Sequence, residues 1–256
     1  MRLSDYIQYT RDLLNDSAGL YVPLPQLIRY INRARYRVAL HTGCIRKLIS
    51  GNAPFGNSAQ AGSFIPGAAQ AGSSPVTSFQ TIAGVEKYSY AFANAYLRQS
   101  NAGVKGIIDV NQVAVSWGGI RPAMTYLPWD DLQALARSYN QGVFSYPYWW
   151  STMGDGEVGE VWLFPVPSVG PDAQGNGEME WLVTCVPLPI YTDNDAEAIP
   201  EPFQSDVPYH AAHTALLGKQ RFGAAQIFQN EFNERLNIDR VASDNGKVSS
   251  YYTSDL

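Results

Sequence analysis

Apolar residues recur with helical spacing at both ends of the chain. Near the N-terminus they follow at intervals of three or four residues: Leu27, Ile31, Ala34 and Val38. Near the C-terminus the same spacing joins Ala225, Phe228, Phe232 and Leu236. Such spacing lines one face of a helix with apolar side chains. The pattern and the capping residues predict four helices, over residues 4–15, 25–42, 206–222 and 224–241.

Between these ends the apolar residues alternate as in strands. Met179, Trp181, Val183 and Cys185 alternate with Glu180, Leu182 and Thr184, a period of two that is typical of a half-buried strand. Further strand-like runs cover residues 79–82, 88–92, 104–117 and 158–164. The strands over 158–164 and 178–186 are predicted to form a hairpin with a long tip, because a turn-rich loop joins them.

The order of these elements predicts an α+β fold. Neither pair of helices alone presents enough apolar face for a core, so a helical bundle formed from N- and C-terminal helices is expected, with an inserted antiparallel β module. The predicted divisions are the N-terminal helices (1–48), a Gly/Ala/Ser-rich segment (49–78), the β-rich module (79–190), a proline-rich acidic elbow (191–205), the C-terminal helical hairpin (206–242) and a C-terminal arm (243–256).

The segment 49–78 is low in complexity and has too few large apolar residues to order itself alone. It is either a flexible linker or an arm that orders against a neighbouring subunit. Three isolated hydrophobic residues, Phe55, Phe64 and Ile65, favour the arm.

Composition changes this picture in two ways. Only 16% of the 256 residues are charged, whereas 16 are Tyr and six are Trp, a balance that suits either a large permanent interface or an aromatic β core. The net charge of −5 argues against a protein that grips DNA through many phosphate contacts.

Cys44 and Cys185 are predicted to be free thiols. No leader or membrane span is evident, so synthesis in the cytoplasm is expected.

Charged residues form two candidate interaction surfaces. Arg29, Arg33 and Arg37 make an i, i+4, i+8 row on the second predicted helix, and Asp193, Asp195 and Glu197 lie in the elbow. The row is either a solvated or intersubunit face, which we favour, or a nucleic-acid contact, for which no recognition motif is present. The two sets have opposite charges and could pair between subunits.

Motifs for catalysis or cofactor binding are not evident, so a protein without enzymatic activity, cofactor or metal is expected. His210 and His213 have a spacing that can hold a metal, but no third ligand is evident in the sequence. The acidic elbow lacks the Gly and the final Glu of a calcium-binding loop. The aromatic cluster from Tyr146 to Trp150 could stack on sugars, contact another subunit or belong to the core.

Several stretches resemble the head-to-tail adaptor proteins of short-tailed phages. They are WLFPVP at 162–167, the strand at 178–186, IPEPFQSDVPYHAAHTALL at 199–217 and FGAAQIFQNEFNERL at 222–236. The stretch YVPLPQLIRYINRARYRVALHTGC at 21–44 is similar to the opening helices of that family. The resemblance implies a structural virion protein of the head–tail neck, with the portal protein above it and a tail or nozzle protein below.

The same resemblance implies a homo-oligomeric ring, of twelve copies by analogy, around a channel through which double-stranded DNA passes without specific binding. Adaptors of this family dock onto the portal through their C-terminal ends. Val248, Tyr251, Tyr252 and Leu256 are therefore the expected portal contacts. The alternative is a carbohydrate-binding virion module that uses the aromatic β region.

Overall fold

The computed structural model describes residues 1–50, 79–100, 103–117, 120, 122–138, 146–154, 158–168 and 177–244. The helices are α1 (Leu3–Leu14), α2 (Leu24–Thr42), α3 (Tyr90–Ser100), α4 (Trp129–Ser138), α5 (Glu201–Gln204), α6 (Val207–Gly218) and α7 (Phe222–Asp244). The strands are β1 (Arg46–Ser50), β2 (Lys87–Ser89), β3 (Val104–Val115), β4 (Thr125–Tyr126), β5 (Trp149–Met153), β6 (Glu160–Phe164) and β7 (Met179–Pro187). The fold class is α+β, as predicted.

The chain divides into two compact units. One consists of Met1–Ile45, Ala102–Val104 and Val186–Leu256, and it contains the helices from both ends of the chain. The other consists of Arg46–Asn101 and Lys105–Cys185, and it contains the sheets with α3 and α4.

In the first unit, α6 contacts α1, α2 and α7. The predicted α2 stripe is correct, because Leu27, Ile31, Ala34 and Val38 are all fully buried. Helix α6 buries residues around much of its circumference, as a helix with neighbours on several sides must. Helices from opposite ends of the chain are thus in contact.

Two details of the predicted helix ends are wrong. Helix α1 begins at Leu3, one residue before the predicted start at residue 4, and the backbone N–H of Arg2 donates to Asp5. Helix α6 ends at Gly218, four residues before the predicted end at residue 222, and Gly223, between the two predicted helices, lies inside α7. Gln220 has a φ of 59° and provides the left-handed residue that the turn between the two helices needs.

The buried face of α1 differs from the one that the spacing of Leu3, Ile7 and Leu14 predicts. Leu3, Tyr6 and Thr10 are buried, whereas Ile7 and Leu14 are only half-buried. The Thr10 hydroxyl donates to the carbonyl of Tyr6, which satisfies this buried polar group within the helix.

The second unit contains a three-stranded sheet, ordered β1-β7-β3, and a four-stranded sheet, ordered β2-β6-β5-β4. Strand β1 runs antiparallel to β7, with Leu48 opposite Leu182. Strand β6 is antiparallel to β2 and β5, but the short β4 is parallel to β5. The prediction of an antiparallel module therefore fails at β4.

The predicted inward positions of β7 are confirmed, although Thr184 on the opposite face is buried as well. Met179, Trp181, Val183 and Cys185 are all fully buried. The Trp181 ring lies edge-on to Phe79, with 4.9 Å between the ring centroids. Phe79 in turn stacks on Phe92 at 5.3 Å. An aromatic cluster is thus the core on this side of the sheet, which accounts for part of the aromatic composition.

Three sequence predictions in this unit are wrong. Strands β6 and β7 lie in different sheets, so they do not form the predicted hairpin. The run 88–92 is not one strand, because α3 begins at Tyr90. The predicted N-terminal helical region (1–48) ends in a strand, since residues 46–50 form β1. Residues 51–78 of the Gly/Ala/Ser-rich segment lie outside the described residues.

Candidate functional site

A buried ion pair connects the acidic elbow to α2 within the helical unit. Arg35 is 1% exposed, and its guanidinium forms a bidentate pair with Glu197 at 3.0 Å from Nε and 2.7 Å from Nη2. Its Nη1 donates to Asn32 at 3.1 Å and to the carbonyl of Leu188 at 2.7 Å. A buried guanidinium needs this degree of pairing to offset its desolvation.

The same residues hold the elbow by its backbone. The Asn32 side chain accepts from the N–H of Ile190 and donates to its carbonyl, both at 2.9 Å. Glu197 also accepts from the N–H of Ile199 at 2.9 Å. Burial, with the negative charge of Glu197 nearby, raises the pKa of the Tyr6 hydroxyl well above its ordinary value. The elbow is therefore a fixed part of this unit rather than a loose loop.

The three acidic residues predicted at a subunit interface have different environments. Glu197 is largely buried and already paired with Arg35. Asp195 is exposed and accepts from the N–H groups of Tyr191 and Thr192, which lower the pKa of its carboxyl group. Asp193 is exposed and accepts from the N–H of Ser4 at 2.7 Å. Only Asp193 and Asp195 thus have side chains that solvent can reach freely.

The arginine row is on the surface, as predicted. Arg29, Arg33 and Arg37 are all exposed on α2. The partner of Glu197 is Arg35, which lies on the opposite side of the same helix and which the row does not include. Sequence periodicity cannot distinguish a buried arginine from its exposed neighbours when a distant carboxylate makes the burial favourable.

A cleft of about 620 Å³ lies between α2, α6 and α7. Its lining residues are Arg33, Arg37, His41, His210, His213, Thr214, Leu217, Gln229, Phe232, Asn233, Leu236 and Asn237. The chain has three histidines, and all of them line this cleft. The sequence linked His210 to His213 by spacing, but nothing local indicated that His41 would join them.

The histidines occupy different positions in the cleft. His210 is almost fully buried, and its pKa is lowered to about 4, first by burial and then by electrostatic interactions with the neighbouring His213, Arg37, Arg33 and His41. His213 donates from Nδ1 to the carbonyl of Ala225 at 2.9 Å. Among the described residues, no group of His, Cys, Asp and Glu side chains has the arrangement of a metal site.

A second concave surface lies in the β unit. It has a volume of about 760 Å³ and is lined mainly by aromatic and small apolar residues: Trp117, Ile120, Pro122, Ala123, Met124, Thr125, Tyr146, Tyr148 and Trp149. Tyr148 contacts both Tyr146 and Trp149 edge-to-face, with centroids 5.1 and 5.8 Å apart. Trp150, by contrast, is buried. The predicted aromatic cluster is thus divided between the core and an exposed groove.

The predicted portal contacts, Val248, Tyr251, Tyr252 and Leu256, lie outside the described residues. Within the described part of the chain, the helices are too short or too polar to cross a lipid bilayer. A comparison with models of known protein families finds no match, and no curated protein is significantly similar to the chain.

Proposed function

We propose that this chain is a head-to-tail adaptor, a structural virion protein that forms a ring beneath the portal and joins the capsid to the tail. In this role it lines the DNA exit channel and has no enzymatic activity. The sequence stretches that resemble adaptors lie in both units, and those at the two ends of the chain include α2, α6 and most of α7.

The observation that carries the proposal is the apolar surface of α7. Phe222, Ile227 and Ile238 are 66%, 68% and 63% exposed. Ile227 and Ile238 are eleven positions apart, about three helical turns, so they lie on the same face of the helix. Ile227 and Ile238 thus expose two large aliphatic side chains on one face, with Glu231 and Glu234 between them, and such a mixed face favours contact with another protein. A subunit of a permanent ring has such a face when it is considered alone.

A ring needs a heterologous interface, in which one face of a subunit binds a different face of the next. In the proposed ring of twelve copies, the row Arg29, Arg33 and Arg37 faces exposed acidic residues of the neighbour. The side chains of Asp193 and Asp195 are exposed and can contact this row. Glu197 does not, because breaking its buried pair with Arg35 would leave both charges unpaired.

The experiment that tests the proposal mixes the purified chain with purified portal rings of the same virus. We expect a complex that remains intact in size-exclusion chromatography and has twelve copies of the chain per portal in native mass spectrometry. The tail or nozzle protein should bind this complex and not the portal alone. A chain that binds neither protein at micromolar concentration, and is missing from purified virions, would not be an adaptor.

A carbohydrate-binding virion module is the second candidate, and the aromatic groove of the β unit favours it. Tyr146, Tyr148 and Trp149 form a partly exposed set of rings in a concave surface. Such rings can stack on the apolar faces of sugars. Glycan-array binding by the purified chain that Trp149→Ala abolishes would support this candidate. An array without binding, together with portal binding, would support the adaptor.

A further inference from the structure

The polar groups in the cleft of the helical unit are mainly hydrogen-bond donors. Arg33, Arg37 and His41 line its α2 wall, and Gln229, Asn233 and Asn237 line its α7 wall. Among the described lining residues there is no carboxylate. The cleft therefore concentrates positive charge in a protein whose net charge is −5.

The two walls have the same periodicity. Residues 33, 37 and 41 are spaced i, i+4, i+8 on α2, and residues 229, 233 and 237 have the same spacing on α7. Residues with this spacing lie along one face of a helix, and each row extends over about 12 Å. A row of two arginines and a histidine and a row of three carboxamides thus line two walls of the same cleft.

Each internal hydrogen bond of the cleft uses one donor and one acceptor, and several N–H groups of its polar side chains have no partner among the described residues. The Gln229 Nε2 group donates to Asn233 Oδ1 at 2.8 Å, so the Asn233 amide group is still free to donate. Arg37 Nη1 lies 3.2 Å from His41 Nε2, which uses one of the five guanidinium N–H groups. His210 contacts Thr214 through Nδ1, and among the described residues nothing hydrogen-bonds to its Nε2.

The charges in the cleft also oppose one another. His210 is on α6 and is 7% exposed, and the charged or titratable groups around it are His213 on α6 and Arg33, Arg37 and His41 on α2. The described lining residues of α7 are uncharged. The positive groups lower the pKa of His210 in addition to the effect of burial. An anion bound in the cleft would reduce this repulsion.

We propose that this cleft binds a phosphate-bearing ligand, either a polyphosphate or the phosphodiester backbone of a nucleic acid, between Arg33 and Arg37 on one wall and the carboxamide row on the other. Guanidinium groups bind phosphate oxygens through two parallel hydrogen bonds. The donors of the cleft extend over about 12 Å, so it can hold more than one phosphate group. A ligand with a single carboxylate would use few of these donors. The proposal does not depend on the adaptor function.

The three histidines make NMR spectroscopy a direct test. Tripolyphosphate is titrated into the full chain while the imidazole signals are recorded, with sodium chloride at equal ionic strength as the control. We expect saturable shifts of all three signals and a pKa of His210 above its starting value of about 4. Shifts no larger than those with chloride would overturn the proposal.

Arginine variants test whether tripolyphosphate binds in the cleft itself. Arg33→Gln/Arg37→Gln should weaken tripolyphosphate binding by about tenfold or more, since two charge-assisted contacts are lost. The matched control is Arg29→Gln, because Arg29 is exposed on the same row of α2 but does not line the cleft. Equal weakening by Arg29→Gln would indicate non-specific attraction and contradict the proposal.

A competition experiment distinguishes the two sources of phosphate. A short DNA duplex of random sequence is added to the chain saturated with tripolyphosphate. If the duplex displaces tripolyphosphate, the pKa of His210 changes to the value of the DNA-bound chain. If this displacement requires Arg33 and Arg37, the site is assigned to a nucleic-acid backbone. Retention of tripolyphosphate assigns it to free polyphosphate. Because Arg33 and Arg37 also belong to the proposed ring interface, Asn233→Ala is the variant that separates the two functions, since Asn233 lines the cleft from α7. It should weaken tripolyphosphate binding and leave portal binding unchanged.

Discussion

At the scale of single residues, the burial of Arg35 depends on one partner, Glu197. Its guanidinium makes four hydrogen bonds, two of them to Glu197. The neighbouring arginines of α2 are exposed and make no comparable contacts among the described residues. Burial of a charge is tolerated only with such pairing, so the two members of the pair depend on each other.

Replacing Glu197 should therefore destabilise the helical unit strongly. Glu197→Ala leaves the Arg35 guanidinium buried without its counter-charge, and we expect a loss of about 3–5 kcal/mol in the free energy of unfolding. The control is Glu231→Ala, which breaks the exposed i, i+4 pair with Arg235 and should cost only about 0.3–0.5 kcal/mol. Urea denaturation measures both. Similar losses for the two variants would contradict the importance of the buried pair.

The buried His210 predicts a pH dependence of stability. Its pKa in the folded chain is about 4, below the ordinary value of 6.5, so the unfolded chain binds a proton first as the pH falls. Its contribution is fully present above about pH 6.5 and decreases down to about pH 4, by up to about 3 kcal/mol. The free energies of unfolding of the wild type and His210→Gln, plotted against pH, should converge or cross within this window. Parallel curves would show that His210 does not titrate as inferred.

At the scale of elements, helix α3 illustrates how packing decides between helix and strand. Tyr90, Ala93 and Leu97 are buried with helical spacing, and the helix contacts β1 and β2. The N–H of Tyr90 donates to the carbonyl of Gly159 at 2.8 Å, and the Tyr90 ring lies over Gly159. The start of α3 thus requires a residue without a side chain just before β6.

A methyl group at position 159 should disturb this contact. A Cβ atom there would lie 2.5 Å from the buried Tyr90 ring, so Gly159→Ala should lower the free energy of unfolding by about 1–3 kcal/mol. Gly223→Ala is the control, because Gly223 lies in α7 with open space around it. That variant should be neutral or stabilising by up to about 1 kcal/mol. Thermal unfolding distinguishes them, and an unchanged Gly159→Ala protein would refute the close contact.

At the scale of the whole molecule, the exposed apolar residues and the separation of charges point to assembly. Apolar side chains on the outer face of α7 have no cover in the described part of the chain, and the arginine row has no counter-charge there. Both features are consistent with surfaces that function only when another copy or another protein is bound. The arginine row leads to a prediction about the ring interface.

Charge reversal in the arginine row should weaken ring formation. Arg29→Glu/Arg33→Glu introduces repulsion with exposed acidic residues of the neighbouring copy, and the effect should be largest at low salt because ions screen exposed charges. Ring formation on the portal is followed by native mass spectrometry over a range of salt concentrations. Lys105→Glu, at an exposed position outside the row, is the control. Unchanged assembly at low salt would exclude the row from the interface.

Removal of the C-terminal arm should abolish portal binding without unfolding the chain. Deletion of residues 249–256 removes Tyr251, Tyr252 and Leu256, which are the proposed anchors. Tyrosine offers a large apolar area and a hydroxyl group with few rotatable bonds, so its loss at a contact is costly. Circular dichroism should be unchanged while the affinity for purified portal falls sharply. Portal binding at full affinity would leave the arm without the proposed role.

Local patterns in the sequence determined a substantial part of this protein. The α2 stripe, the alternation along β7, the approximate extents of the four terminal helices and the exposure of the arginine row were all predicted correctly. Each depends on periodicity within one element, and that periodicity follows from the 3.6-residue turn of a helix and the two-residue repeat of a strand. The order of the predicted helices and strands also indicated the α+β class.

The tertiary structure alone decided which distant residues meet. It separated β6 from β7 into different sheets, began a helix at Tyr90, and brought His41 to His210 and His213. It also buried Arg35 by supplying Glu197, 162 positions along the chain. The physical reason is that the free energy of a buried charge or a paired strand depends on its partner. That partner is chosen by the packing of the whole unit, which spacing along the chain does not encode.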